Sequence, residues 1–316
     1  MNNGTSAFDR SAPDYIQAVI AKKPHAQDPK DIRIRQIIEH DFLQDEWAKA
    51  AFNTIHHQQI DYLQDAIANV DRPGHVSDAT QNVLKSIAGE LHSTIEEGGE
   101  QLENIPSGTP VLIMTNHLGT YKLDGINPQR DLGDNVPRYD GYDFMYPYPL
   151  YFAALQPVAE ALSNNLSYTS DDFPGVFGQI HSEAGFVYVP PATMMTGGRT
   201  EALIEQTRQV IRQIPNTALV NFPEGGTSGK YNEAGPYDLL DFKTGGYVVA
   251  AELGMTILPV AQYFDPHEGM KLKVFEPINM VPADREHYQD LAARHQHEMQ
   301  QWLNSKQQGE TFRAAA

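Results

Sequence analysis

Residues 218–228 read ALVNFPEGGTS, and this stretch decides what kind of fold the chain can adopt. Ala218 to Asn221 form a short apolar run that stops at Phe222-Pro223-Glu224-Gly225-Gly226-Thr227-Ser228. An apolar run cut off by proline and paired glycines reads as a buried strand ending in a tight turn. The glycines let the backbone approach a ligand closely and offer N–H groups to an anion or a developing oxyanion. Glu224 sits at the strand end, where a charge is costly unless it has a partner or a task. A turn that needs glycine for geometry alone would carry the same residues.

Outward from that stretch, short β-rich runs alternate with helical ones. The strands are expected at VLIMT (111–115), FVYVP (186–190), ALVNF (218–222), TILPVAQY (256–263) and KLKVFEPI (271–278). TEALIEQTRQVIRQI (200–214) has a helical period, and GGYVVAAELG (245–254) reads as a helix closed by Gly254. This alternation predicts an α/β fold with a mixed, largely parallel sheet flanked by helices. DREHYQDLAARHQHEMQQWLNSKQQ at the C-terminus reads as one more amphipathic helix. Upstream, apolar residues from Ile34 to Ile55 recur at three- and four-residue steps, and the pattern breaks at DRPGH (71–75). A second helix is expected from an N-cap at Ser77-Asp78 through SIAGELHSTIEEG. The expected organisation is a helical N-terminal region over 1–105 and an α/β domain over 106–316. Between Asp124 and Leu150 runs a long irregular segment rich in Pro, Gly, Asp and Tyr.

Composition removes several function classes. With 41 acidic and 23 basic residues the formal charge is −18, which argues against nucleic acid as a partner and allows at most peripheral membrane contact. The chain has no cysteine, so thiol nucleophiles, disulfides and thiolate metal sites are excluded together. No Gly-x-Ser-x-Gly nucleophile elbow is present. The most membrane-like window, residues 245–264, contains Glu252, Gly254 and Pro259 and reads as a helix followed by a buried strand. No signal-peptide pattern opens the sequence, so a soluble, cytoplasmic protein is expected.

A second stretch carries chemistry: TNHLGTYKLD (115–124), directly after VLIM. A histidine just past a buried strand stands where open α/β sheets place their ligands. Imidazole accepts a proton near neutral pH, and a carboxylate behind it fixes the tautomer. His117 and Asp124 are therefore a candidate base and its orienting group. Two other histidine groups, His57 with Asp61 and His295 with His297 and Glu298, read as solvated helix faces.

Together, the NH of Asn116-His117, FPEGGTS (222–228), the GFVYVPP block from Gly185 and the late Leu258-Pro259-Val260 resemble the glycerolipid acyltransferase family. That family contains the glycerol-3-phosphate and lysophosphatidate acyltransferases. The resemblance covers roughly residues 105–280, with the blocks in the family's order. It implies transfer of an acyl group from a thioester, acyl-CoA or acyl carrier protein, to the hydroxyl or amine of a small-molecule or lipid acceptor. It also implies His117 as general base, an Asp to orient it, and backbone N–H groups for the oxyanion. No metal, tightly bound cofactor or acyl-enzyme is implied. Asn116, Phe222, Pro223, Glu224, Gly225, Gly226, Thr227, Ser228, Arg199 and Lys243 are the expected substrate-binding residues.

Three departures qualify the resemblance. The family's Asp stands five residues after its His, where this chain has Lys122; Asp124 stands at seven. On a regular helix that spacing spans about 10 Å, too far for direct pairing. Either a bulge delivers Asp124, another carboxylate such as Asp140 or Asp143 replaces it, or the pair is degenerate. The two family arginines that bind a phosphate are Pro191 and Thr227 here. Without those planar cations the expected acceptor lacks a phosphate. The competing expectation is an inactive relative that keeps the fold and binds a lipid or acyl carrier.

Overall fold

The computed structural model describes residues 46–117, 150–170, 176–188, 199–213, 216–225, 237–265 and 267–314. In chain order these form α1 (Glu46–Asn69), α2 (His75–Glu90), β1 (Thr94–Glu97), a 3-10 turn (Gly99–Asn104) and β2 (Val111–Thr115). Next come α3 (Leu150–Ala153), α4 (Gln156–Ala161), β3 (Asn165–Ser170), α5 (Val176–Glu183), β4 (Val187–Tyr188), α6 (Arg199–Gln213) and β5 (Thr217–Asn221). The chain closes with α7 (Gly245–Leu253), β6 (Thr256–Asp265), β7 (Gly269–Val274), β8 (Ile278–Asn279) and α8 (Arg285–Ala314).

The strands make one sheet in the order β1-β7-β6-β2-β5-β3-β4, with β8 beside β6. From β6 to β4 every neighbour is parallel, whereas β7 and β8 run antiparallel to β6. The fold is thus α/β with a mixed, mostly parallel sheet. β2 sits at its centre and is buried along its whole length, which is why VLIMT shows no polar alternation. Side chains still alternate between two cores. Val111, Ile113, Ala218, Val220, Leu258 and Val260 face α1 to α5. Leu112, Met114, Leu219, Ile257 and Ala261 face α6, α7 and α8. Both faces of the sheet are therefore roofed by helices.

The N-terminal helices share the first core with the sheet: Ile55, Tyr62, Ala66, Leu84 and Ile87 pack with Val111 and Ile113. Residues 94–97, expected to continue a helix, instead form β1, which pairs in parallel with β7. The described residues 46–105 therefore contribute a strand as well as helices, and they share one core with the sheet. The helix ends early because His92 turns left-handed (φ 48), letting Ser93 N–H bond Ala88 O at 3.0 Å and His92 N–H bond Gly89 O at 3.0 Å. The helix start also differs from expectation. Gly74 (φ 76) precedes it, and Asp78 lies in the first turn, where its charge suits the helix dipole.

Glu96 and Glu97 of β1 then anchor the last helix. Trp302 Nε1 donates to Glu97 Oε1 at 2.8 Å, Lys273 lies 2.9 Å from Glu97 Oε2, and Lys306 pairs with Glu96. Burial pushes the Glu97 carboxyl up, but the bonds from Trp302 and Lys273 and the charge of Lys306 outweigh it and leave it below its ordinary value. At the opposite side of the sheet, the Gln81 side chain of α2 grips Leu166 of β3. Its Nε2 donates to Leu166 O at 3.0 Å, and its Oε1 accepts from Leu166 N–H at 3.1 Å.

The left-handed helix closure recurs at Ser163, Gly185 and Gly254. Glycine takes this conformation without penalty, whereas a side chain is strained there. Ser163 (φ 55) carries that strain at an exposed position. Ser163→Gly is expected to raise stability by about 0.5–1 kcal/mol, read as a higher urea midpoint at unchanged slope.

His295, expected on a solvated helix face, is buried and shares a 2.9 Å hydrogen bond between Nδ1 and Tyr247 Oη. Its neighbour His297 is exposed and bonds Gln301. Burial, helped by the nearby charge of Arg294, holds His295 down to about 4, and burial does the same to His181 in α5. Both are neutral in the folded chain and regain a proton near the ordinary value when it unfolds. The stability they contribute is complete above about pH 6.5 and drains as pH falls toward about 4. Urea midpoints taken between about pH 6.5 and 5, above the carboxylate range, should fall with uptake approaching two protons. A flat profile would show that these rings already charge in the fold.

Candidate functional site

β2 and β5 run parallel in register from Val111 opposite Ala218 to Met114 opposite Asn221. Their carboxyl ends therefore release Asn116-His117 and Phe222-Pro223-Glu224 at the same edge of the sheet, where α/β folds hold their ligands. Glu224, 2 % exposed, joins the two. Its Oε1 accepts from His117 N–H at 2.9 Å and its Oε2 from Leu240 N–H at 2.8 Å. These two donors repay the burial of the carboxylate that the sequence flagged as costly.

The turn that aims Glu224 is built locally. Gly225 N–H bonds Phe222 O at 3.1 Å, closing a β-turn with Pro223 at its second position, and Gly225 itself is left-handed (φ 65). Pro223 O accepts from Lys243 N–H at 2.7 Å, tying in the segment before α7. A Cβ built on Gly225 would lie 3.7 Å from Lys243 Cγ, an ordinary contact, so the glycine answers to φ and not to space. At Gly246 space decides, since a Cβ would meet Met114 Cε at 2.6 Å and Asn221 Oδ1 at 2.9 Å. The first turn of α7 thus lies directly against the ends of β2 and β5. His117, half-buried, makes an edge-type ring contact with Phe222, with centroids 5.0 Å apart at 64°.

The third wall is β6, which outruns β2. The ladder pairs Thr115 with Val260 and then continues on side chains. Asn116 Oδ1 accepts from Gln262 N–H at 2.8 Å, and Asn116 Nδ2 donates to Gln262 O at 3.1 Å. Two residues on, the Tyr237 hydroxyl accepts from Phe264 N–H at 3.0 Å and lies 3.2 Å from Phe264 O, to which it donates. In return Gln262 Nε2 donates to Thr115 Oγ1 at 2.8 Å and, at 3.5 Å, to Asn116 O.

The structure thus brings together His117, Asn116, Phe222, Pro223, Glu224, Gly225 and Lys243 of the residues expected from sequence. Two expectations change in kind. The N–H of Gly225, expected to face an oxyanion, is consumed by its own turn. Glu224, expected to contact substrate, has both oxygens on backbone donors. Arg199 opens α6. Asp124, Gly226, Thr227 and Ser228 lie outside the described residues, as do Asp140 and Asp143. Sequence reasoning passed over Gln262, Tyr237 and the Leu240 amide. Gln262 left one trace, a lone amide within an apolar strand; the other two left none. Among the described residues no helix is long and apolar enough to cross a membrane. The chain matches no model of a known protein family, and no curated protein matches it.

Glu224→Gln keeps the shape but offers an acceptor to only one of the two N–H groups and turns an NH₂ toward the other. The expected loss is about 2–4 kcal/mol in urea unfolding, with faster hydrogen exchange at His117 and Leu240. An unchanged midpoint would show that the carboxylate does not hold these strands.

Proposed function

We propose that this chain is an acyltransferase resembling the glycerolipid acyltransferases, with His117 as the general base. One observation supports the reading above others: the Glu224 carboxylate of the FPEGG block binds the backbone of His117 in the NH block at 2.9 Å, across 107 residues of sequence. The two blocks that carry the resemblance meet at the carboxyl end of the central parallel strand. The acyltransferase fold and cytoplasmic location are part of the same proposal.

In this reading the His117 imidazole takes the proton of an acceptor hydroxyl or amine as its lone pair attacks the thioester carbonyl. The tetrahedral oxyanion collapses, the C–S bond breaks, and the imidazolium passes its proton to the departing sulfur, which returns His117 to its neutral form. The products are an ester or amide and a free thiol, and no covalent enzyme intermediate forms. Phe222 packs against the imidazole and limits its swing. Exposed Lys243, beside Gly225, offers a cation to the anionic parts of an acyl-CoA or acyl carrier protein donor. The phosphate-binding arginines of the family are replaced by Pro191 and Thr227, so the proposed acceptor is an alcohol or amine without a phosphate.

Thiol release from a panel of acyl thioesters, with and without alcohols and amines, tests the proposal. Acceptor-dependent release is expected in the wild type, with a drop of about 10²–10⁴-fold in His117→Ala. Equal thioester loss in both proteins would sink the mechanism.

A further inference from the structure

We infer that Gln262 is a positioning residue for His117, a role that rests on reading His117 as the base. The peptide group between Asn116 and His117 is held at both ends. Its N–H donates to Glu224 Oε1 at 2.9 Å, and its C=O faces Gln262 Nε2 in a long hydrogen bond of 3.5 Å. The same Nε2 donates to Thr115 Oγ1 at 2.8 Å, one residue earlier. The Asn116 side chain meanwhile spans the Gln262 N–H and C=O. Residues 115 and 116 are thus locked to one residue of β6 by four contacts. The plane of the 116–117 peptide fixes the N–Cα bond of His117, from which the side chain departs, and so limits where the imidazole can stand.

Core packing alone does not account for an amide here. Gln262 is fully buried between Ala261 and Tyr263, in a strand buried from end to end. Its Oε1 is also buried and has no hydrogen-bond partner among the described residues, a state with a real cost. An aliphatic side chain would avoid that cost. What it could not do is donate to Thr115 and Asn116, and those donations act on the two residues that precede the base. Gln262 touches no reacting atom in this scheme. It acts through the backbone.

Gln81 supplies the control. Its buried amide also makes two bonds, though with both of its polar atoms, to the N–H and C=O of Leu166 in β3, which β5 separates from β2. Gln262→Met and Gln81→Met each remove one buried amide from a strand contact. The readout is the His117 imidazole in ¹³C/¹⁵N-histidine NMR, assigned by its loss in His117→Gln and followed through a pH titration, alongside thioester kinetics. In Gln262→Met the His117 signal should move, its titration midpoint should shift, and kcat should fall about tenfold with KM within about twofold. Gln81→Met should lose at least as much stability and leave the His117 signal in place. Thr115→Val, which deletes only the hydroxyl acceptor, should move the signal in the same direction by less. The inference is overturned if Gln262→Met leaves the His117 signal and midpoint at wild-type values, or if Gln81→Met moves them equally. Wild-type turnover in His117→Gln would instead refute the base, and the NMR comparison would still decide what Gln262 holds.

Discussion

A single buried carboxylate organises this end of the molecule. Glu224 is approached by two backbone N–H groups from segments far apart in sequence, and both are donors. Only a side chain with two acceptors and no hydrogen can satisfy both, which excludes glutamine as well as every apolar residue. The surrounding geometry follows from that requirement. Pro223 presets the turn, Gly225 supplies the left-handed step that ends it, and the Lys243 amide closes the turn from outside. The carboxylate thereby fixes where β5 stops, how the chain leaves β2, and how residues 237–243 return to the sheet.

Rigidity of the frame has a second source in the sheet itself. β2 is covered on both faces by separate apolar cores, so neither of its faces is free to swing toward solvent. α7 lies so close to the ends of β2 and β5 that a Cβ on its second residue would press on the side chains of Met114 and Asn221. The group proposed as base thus stands just past a strand that is buried along its whole length, at the point where burial gives way to access.

The sequence made some of this visible and hid the rest for physical reasons. VLIMT and TILPVAQY are largely apolar runs without polar alternation, as strands covered on both faces tend to be. GGYVVAAELG ended at a glycine in the left-handed conformation, which only a few residues accept, so its boundary was legible. β1 was not. Thr94-Ile95-Glu96-Glu97 follows a helix that is closed by a histidine where glycine is usual, and its pairing partner, β7, is far along the chain. His295 and His297 looked alike in sequence because one helical turn carries both; burial by Tyr247 separates them. At the site, the blocks announced which residues would meet but not their duties. Whether a glutamate faces a ligand or a backbone depends on where distant N–H groups arrive, and no local pattern encodes that.

The continuation of the β2–β6 ladder by Asn116 and Tyr237 has an effect on what evolution can alter. Backbone hydrogen bonds are indifferent to side chains, so an ordinary strand pair accepts many sequences. Where a side chain replaces the backbone, residue identity becomes part of the secondary structure. Substitutions there remove both a contact and a rung of the sheet. The two rungs nearest the proposed base are of this kind. The freedom to drift therefore narrows toward the site for a reason that would hold even if the site had no chemistry to perform.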